Sequence, residues 1–518
     1  MGKQMTASTG AGAPGDDAAK WTGVGWHRAH REVRRLQIRI AKAVKEGRWN
    51  KVKALQHRLT HSFYAKLLAV KRVTSNKGKK TPGVDGVLWQ GARAKWRAAC
   101  SLRRRGYHPQ PLRRIYIPKK GGSKLRPLSI PCMIDRAMQA LYKLALAPVA
   151  ETLADRNSYG FRELRSCADA VAAGFLALSK PNSATWILEG DIKGCFDNIC
   201  PRWMLQYIPM DKGILRKWLE VGYIEEGKWY PGNKGTPQGG IISPTIANMV
   251  LDGMEQAINA SLPRRRCRVN FVRYADDFIV TCKSRLILEK HIRPAIERFL
   301  AQRGLQLSEE KTLITHIRDG FTFLGQTFRK TGNVLHITPA KEGVLALQRK
   351  AGELIRKYVG APMPILIKKL NETLRGWGNY HRHVVASEAF SRIDRYVYES
   401  LWRMLHRRHP KKSKSWLVEK YWNATGKAWV FSAMEKVKKG YRLHRLIRLS
   451  SLGIRRHVKI QADANPYLPE YGGYFHRRRH HKASRLLPAM SMREYQAKIA
   501  KGEVSWPGCP TRASFANA

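Results

Sequence analysis

Acidic residues are scarce in this sequence. Only 38 Asp and Glu stand against 96 Lys and Arg, a formal net charge of +58 over 518 residues. A compact fold with that much self-repulsion calls for a polyanionic partner. Cysteine is scarce as well: there are eight, none spaced C-x-x-C. Neither a zinc site nor a disulfide framework is indicated, which suits a reducing cytoplasm. Long apolar runs are missing, as is an N-terminal signal-peptide core, so a membrane-spanning or secreted protein is not expected. Hydrophobic residues still make up 43%, enough for real cores.

The basic excess is spread along the whole chain. Runs recur at Arg103–Arg105, Arg264–Arg266, Lys411-Lys412 with Lys414, and Arg477–Arg479. One such run reads as a solvated face; a series of them implies a long phosphate track whose binding weakens as salt rises. Residues 1–20 are rich in Gly, Ala, Ser and Thr and are expected to be disordered. Val33, Leu36, Ile40 and Val44, then Val52, Leu55, Leu59 and Phe63, recur at helical spacing. They predict two basic amphipathic helices in an N-terminal extension over 21–86, closed by the turn signal Thr81–Gly86. Over 87–335 short β-type runs (Arg114–Pro118, Trp186–Ile192, Phe271–Val280, Phe321–Phe328) alternate with helical stretches, an α+β pattern with a mainly antiparallel sheet. Residues 336–450 read as a helical domain whose Trp377, Trp402, Trp416, Trp422 and Trp429 are more often core than stacking surface, and 451–518 as a basic segment.

Two adjacent carboxylates, Asp276 and Asp277, interrupt the run Phe271–Val280. Buried adjacent carboxylates repel one another, and a hairpin apex that offers them to a divalent cation removes that cost. Asp191, closing the apolar run Trp186–Ile192, supplies a third hard oxygen donor from a separate strand. Such a set suits a pair of Mg²⁺ ions, with Mn²⁺ as the alternative, activating a hydroxyl and stabilising a pyrophosphate leaving group.

The segment Tyr274-Ala275-Asp276-Asp277 resembles the signature of reverse transcriptases, and the order of the other blocks resembles the group II intron-encoded reverse transcriptase/maturase family. Those blocks are Arg114–Lys119 running to Leu125–Leu128, Asn157–Arg162, Gly235–Pro244, Leu307–Thr312, Phe323–Gly325 and Arg375–His381. The resemblance spans roughly residues 26–475 and implies a right-hand polymerase: fingers and palm with an antiparallel sheet, then an α-helical thumb. It implies catalysis by Asp191, Asp276 and Asp277, with Mg²⁺ held by these acids and Ile192. Lys119 and Arg126 would clamp the incoming deoxynucleoside triphosphate, generic phosphate binding being the plainer reading of each. Phe196 would exclude a ribose 2′-hydroxyl, or else be a core aromatic. Gln238 and its glycines would meet nucleotide or template, and Lys311 would lie near the triphosphate or merely cap a surface turn. Arg407, Arg408, Lys411 and Lys412 are the candidate phosphate contacts of the thumb. The implied partners are a structured intron RNA, as template and splicing substrate, and a DNA primer or target, in the cytoplasm. Many relatives carry a C-terminal endonuclease with paired cysteines and histidines; here only Cys509 follows His476–His481, so no nuclease is expected. Two rivals are a defence-associated reverse transcriptase without an intron and an RNA-binding splicing factor with a vestigial polymerase.

Overall fold

The computed structural model describes residues 16–118, 125–232, 235–262, 268–422, 429–437 and 440–479. The chain opens on α1 (Asp17–Thr22), α2 (Trp26–Lys45), α3 (Trp49–His61) and α4 (Phe63–Ser75), followed by α5 (Gly91–Ser101). The predicted apolar positions of α2 and α3 are buried as the helical spacing requires, but Phe63 is exposed and begins a separate helix. Ser62 ends α3 in an extended conformation, so the expected pair of helices is a triplet. Composition predicts disorder up to residue 20. Instead α1 forms from residue 17, its Trp21 buried and its Asp17 paired to Arg97 of α5. Residues 1–15 lie outside the described residues.

Strands β1 (Leu112–Pro118) and β2 (Leu125–Ile130) form a hairpin that leads into the long buried helix α6 (Met133–Leu153) and then α7 (Cys167–Leu178). Next come β3 (Trp186–Gly190), the short α8 (Cys195–Asn198), α9 (Pro201–Tyr207), α10 (Lys212–Glu220), β4 (Tyr223–Glu225) and β5 (Lys228–Tyr230). Helices α11 (Ser243–Leu251) and α12 (Met254–Ala260) precede the hairpin β6 (Asn270–Tyr274) and β7 (Asp277–Cys282). After α13 (Arg285–Ile287) and α14 (Arg293–Ala301), the strands β8 (Leu313–His316), β9 (Phe321–Phe323), β10 (Gln326–Thr331) and β11 (Val334–Pro339) follow. The central sheet has the order β6-β7-β3-β8, antiparallel throughout; the outlying sheet β2-β1-β4-β5 has one parallel pairing, β1 with β4.

Strand periodicity explains why β3, β6 and β7 read as continuous apolar runs. Successive side chains point to opposite faces, and both faces are covered. Leu188, Phe271, Phe278 and Val280 join the core shared with α2–α6. Ile187, Val272 and Ile279 join a second core with α7 and the helices that follow. Those helices are α15 (Lys341–Lys357), α16 (Met363–His381), α17 (Ser387–Arg408) and α18 (Lys414–Tyr421). This helical layer docks on the sheet strands through Gln326, wholly buried against His381, and through the Tyr380 hydroxyl, which donates to the Leu324 carbonyl at 2.8 Å. The architecture is thus an α+β body followed by a helical layer. Trp422 is buried against Trp402 and Phe431, whereas Trp429 is exposed.

The end of the helical region differs from expectation. A hairpin of β12 (Ser432–Val437) and β13 (Gly440–Arg445) stands where the pattern predicts helix, and α19 (Gly472–Arg479) closes the described chain. The hairpin strands bury little apolar surface, so alternation is faint in the sequence. Among the described residues no helix is long and apolar enough to cross a membrane.

Candidate active site

The sheet order puts the ends of β3 and β7 side by side. Gly190 pairs with Phe278, and a Cβ on Gly190 would stand 2.1 Å from the Phe278 ring. A bare backbone at 190 therefore lets the ring lie flat on β3, and the next residue, Asp191, emerges beside Asp277. On the other side Tyr274 pairs with Asp277 across the hairpin, leaving Ala275 and Asp276 as the turn. Ala275 holds a positive φ of 60°, a costly conformation for a residue with a Cβ.

The surroundings over-determine that turn. The segment 157–162 runs alongside β6: the Arg273 amide donates to the Asn157 carbonyl and the Tyr159 amide to the Arg273 carbonyl, both at 2.9 Å. Gly160 lies so close that a Cβ there would meet the Ala275 nitrogen at 2.3 Å. Beneath the turn Arg273 is 0% exposed, ion-paired to Asp252 and donating to Asn248 Oδ1 (3.3 Å) and to the Ala275 carbonyl (3.4 Å). Burial pushes Asp252 up to about 7 even though the Arg273 charge opposes it.

The three acids feel one another. Desolvation by the cleft, then the charges of Asp276 and Asp191 and a hydrogen bond shared with Asp191, push Asp277 up to about 6. Asp276 is raised by burial and by the Asp191 charge, against the pull of Arg126 and Lys311. The Lys311 ammonium donates to Asp191 Oδ2 at 2.8 Å, and that bond raises the ammonium above its ordinary value. Among the described residues no three His, Cys, Asp or Glu side chains are gathered tightly enough to hold a metal ion as they stand. The acids fit one by their chemistry: they are hard oxygen donors, and the crowding that raises Asp276 and Asp277 is a cost that a divalent cation relieves. Ile192 sits in an isolated antiparallel bridge to Leu307. The Ser308 amide donates to the Asp191 carbonyl (2.8 Å) and the Lys193 amide to the Gln306 carbonyl (2.9 Å). That pairing turns the backbone groups of Ile192 to the opposite side.

The loop 235–240 sets Gln238 between β2 and α8. The Thr236 amide donates to the Phe196 carbonyl at 2.7 Å, and the Ser129 amide of β2 to the Gln238 carbonyl at 2.7 Å. Gly239, at φ 115°, would place a Cβ 2.5 Å from the Ser129 carbonyl oxygen. The Gln238 amide donates to Asp197 Oδ2 at 3.0 Å, a partnership that nothing in the spacing of the two residues announces. Phe196 is half-buried on α8, and Arg126 is exposed on β2 opposite Ile117.

Lys119 lies outside the described residues, as do Arg264–Arg266 and the tail from His480. Arg407, Lys411 and Lys412 are exposed at and beyond the end of α17. Arg408 is engaged instead, donating to the carbonyls of Val359 (3.0 Å) and Ala361 (2.7 Å). No local pattern marks Arg273 or Gly160, because their decisive neighbours, Asp252 and Ala275 respectively, are distant in the chain.

Three family models match the chain in order. They are the N-terminal domain of reverse transcriptase over 21–102, reverse transcriptase (RNA-dependent DNA polymerase) over 117–328, and the group II intron maturase-specific domain over 344–422. Protein YkfC of Escherichia coli is 33% identical over 296 residues, which cover 49% of this chain and 77% of that protein. The group II intron-encoded protein LtrA of Lactococcus lactis is 30% identical over 331 residues, covering 51% of this chain and 54% of its own. An uncharacterized 91 kDa protein in the cob intron of Schizosaccharomyces pombe is 29% identical, over 59% of this chain and 44% of its own. The chain thus spans about half the length of these two intron-encoded relatives.

Proposed function

The chain belongs to the family of group II intron reverse transcriptases and maturases, and from that premise we propose that it is an RNA-directed DNA polymerase that binds an intron RNA, assists its splicing and copies it. The observation that carries the reading is the meeting of Asp191, Asp276 and Asp277 at one sheet end, under the charges of Arg126 and Lys311. Asp191, Asp276 and Asp277, with the Ile192 carbonyl, would hold Mg²⁺. When bound, the ions supply Lewis acidity for the primer 3′-hydroxyl and charge for the leaving pyrophosphate.

The protein's own groups do the rest. Arg126 on the β1–β2 hairpin, with Lys119, neutralises the incoming triphosphate. Lys311, which donates to Asp191, would face the phosphates of the bound triphosphate. The Phe196 ring lies under the sugar and leaves no room for a 2′-hydroxyl. Gln238, steadied by Asp197 and by β2, lines the nucleotide and template floor. Arg407, Lys411 and Lys412 give the helical domain a phosphate-binding edge, and the maturase-domain match supports intron RNA as the polyanion.

Primer extension on an RNA template in Mg²⁺ tests the reading. Asp276→Ala should reduce the rate by roughly a hundred- to a thousandfold or more. Extension at the wild-type rate in that variant would sink the metal assignment. Sequencing the RNA that co-purifies should return an intron; its absence would favour an intron-independent reverse transcriptase.

A further inference from the structure

We propose that Phe161 is a specificity-determining positioning residue: its ring backs Phe196 and fixes that side chain against the sugar of the incoming nucleotide. The inference rests on the reading of Phe196 as the group that excludes a 2′-hydroxyl.

Three observations lead to Phe161. The residue is 51% exposed, although an aromatic of that size ordinarily finds cover. Its ring centroid lies 6.5 Å from that of Phe196 at an interplanar angle of 75°, an edge-to-face contact. Its backbone holds φ 56°, in the left-handed region that a β-carbon disfavours. Such strain persists only where the flanks impose it, and here they do. Gly160 is wedged against Ala275, with its carbonyl accepting from Asn248 Nδ2 at 2.6 Å. Arg162 is clamped to Glu151 and to the carbonyls of Asp155 and Ser158. The chain is thus pinned on both sides of one exposed aromatic residue, and that residue is aimed at Phe196.

Phe196 needs such a backing. It rides on the four-residue α8, entered through Gly194 in a left-handed conformation, and only part of its ring packs on the core. The Thr236 amide fixes its backbone but not its side chain. Phe161 supplies the missing wall, and its own open face is left for the bound substrate to cover. An edge-to-face pair of this kind corresponds to a roughly two- to tenfold bias between side-chain positions.

Single-nucleotide extension with matched deoxy- and ribonucleoside triphosphates tests the proposal. Phe161→Gly removes the ring while relaxing the left-handed backbone, so loss of folding does not confound it. The deoxy-to-ribo ratio of kcat/KM should fall roughly two- to tenfold in Phe161→Gly and recover in Phe161→Tyr, which keeps the ring. Phe196→Ala should lower the ratio further, and the double variant should lose no more than Phe196→Ala alone. If Phe196→Ala loses discrimination while Phe161→Gly keeps the wild-type ratio, the role of Phe161 is refuted by itself. If neither variant changes the ratio, the reading of Phe196 falls and takes this inference with it.

Discussion

At the scale of single residues, the site is an arrangement of charge held short of neutrality. Asp277 is driven up to about 6 by desolvation and by its two acidic neighbours, and the Lys311 charge works in the opposite sense. A carboxyl that binds metal must first lose its proton, so affinity for a divalent ion falls on the acid side of that value. The rate of primer extension should therefore show an acid limb near pH 6. Lys311→Met removes a cation that lowers Asp276 and Asp277, so both rise further and the limb should move to higher pH. A pH–rate profile at subsaturating Mg²⁺ measures this; a limb that stays in place or moves down would contradict it. The acids themselves were legible because little but a cation can stabilise an Asp-Asp pair set between apolar runs. The Lys311–Asp191 bond was not, since its partners are 120 residues apart and meet only through the sheet order.

At the scale of elements, local pattern identified β3 and the β6–β7 hairpin, because a strand buried on both faces leaves an unbroken apolar signature. Local pattern could not give the backbone geometry of the turn. Ala275 carries no sign of a positive φ; that conformation is imposed by the 157–162 segment and by Arg273 from below. The break at Ser62 and the strands of the β12–β13 hairpin escape pattern reading for the converse reason: the one has no Gly or Pro to announce it, and the others bury too little to alternate. The contact between elements that matters most for the site is the seam between residues 157–162 and β6. Gly160→Ala would set a Cβ 2.3 Å from a backbone nitrogen, a clash no side-chain rotation relieves. It should cost about 1–3 kcal/mol of stability and lower kcat for nucleotide addition through displacement of the Ala275 turn, with binding of primer–template little changed. Urea denaturation and steady-state extension read the two effects separately; a variant with normal kcat would show that the turn does not depend on the seam.

At the scale of the molecule, the order of the blocks and the +58 charge were visible in the sequence, and the family matches follow that order. What composition hid is how the body is closed. The segment from Arg455 to α19 runs back across the N-terminal helices, the sheet region and the helical layer. The Arg455 amide donates to the Arg382 carbonyl, Arg165 holds the carbonyls of Ala462 and Ala464, and Lys45 of α2 pairs with Glu470. Its firmest hold is on Asp169, at the start of α7. That carboxylate accepts from His457 Nε2 (2.9 Å), the Ile460 amide (2.7 Å), Arg478 Nη2 (2.7 Å) and the Ser166 hydroxyl (2.8 Å). Burial alone would raise it; the bonds from His457 and Ser166 and the Arg478 charge outweigh burial and bring it down to about 2. A carboxyl lowered on folding adds stability that is complete above its unfolded value and is lost as pH falls through the folded one. The shift corresponds to about 2 kcal/mol at neutral pH, with roughly half of it gone at pH 3. Asp169→Asn should therefore lower the denaturation midpoint at pH 7, and the gap to wild type should narrow as pH drops from 5 towards 3. Because the clasp joins residues 288 apart, the same variant should also make residues 455–479 more open to limited proteolysis at neutral pH. A gap that stays constant with pH would assign the loss to packing around α7, and the segment would then be held by its other contacts.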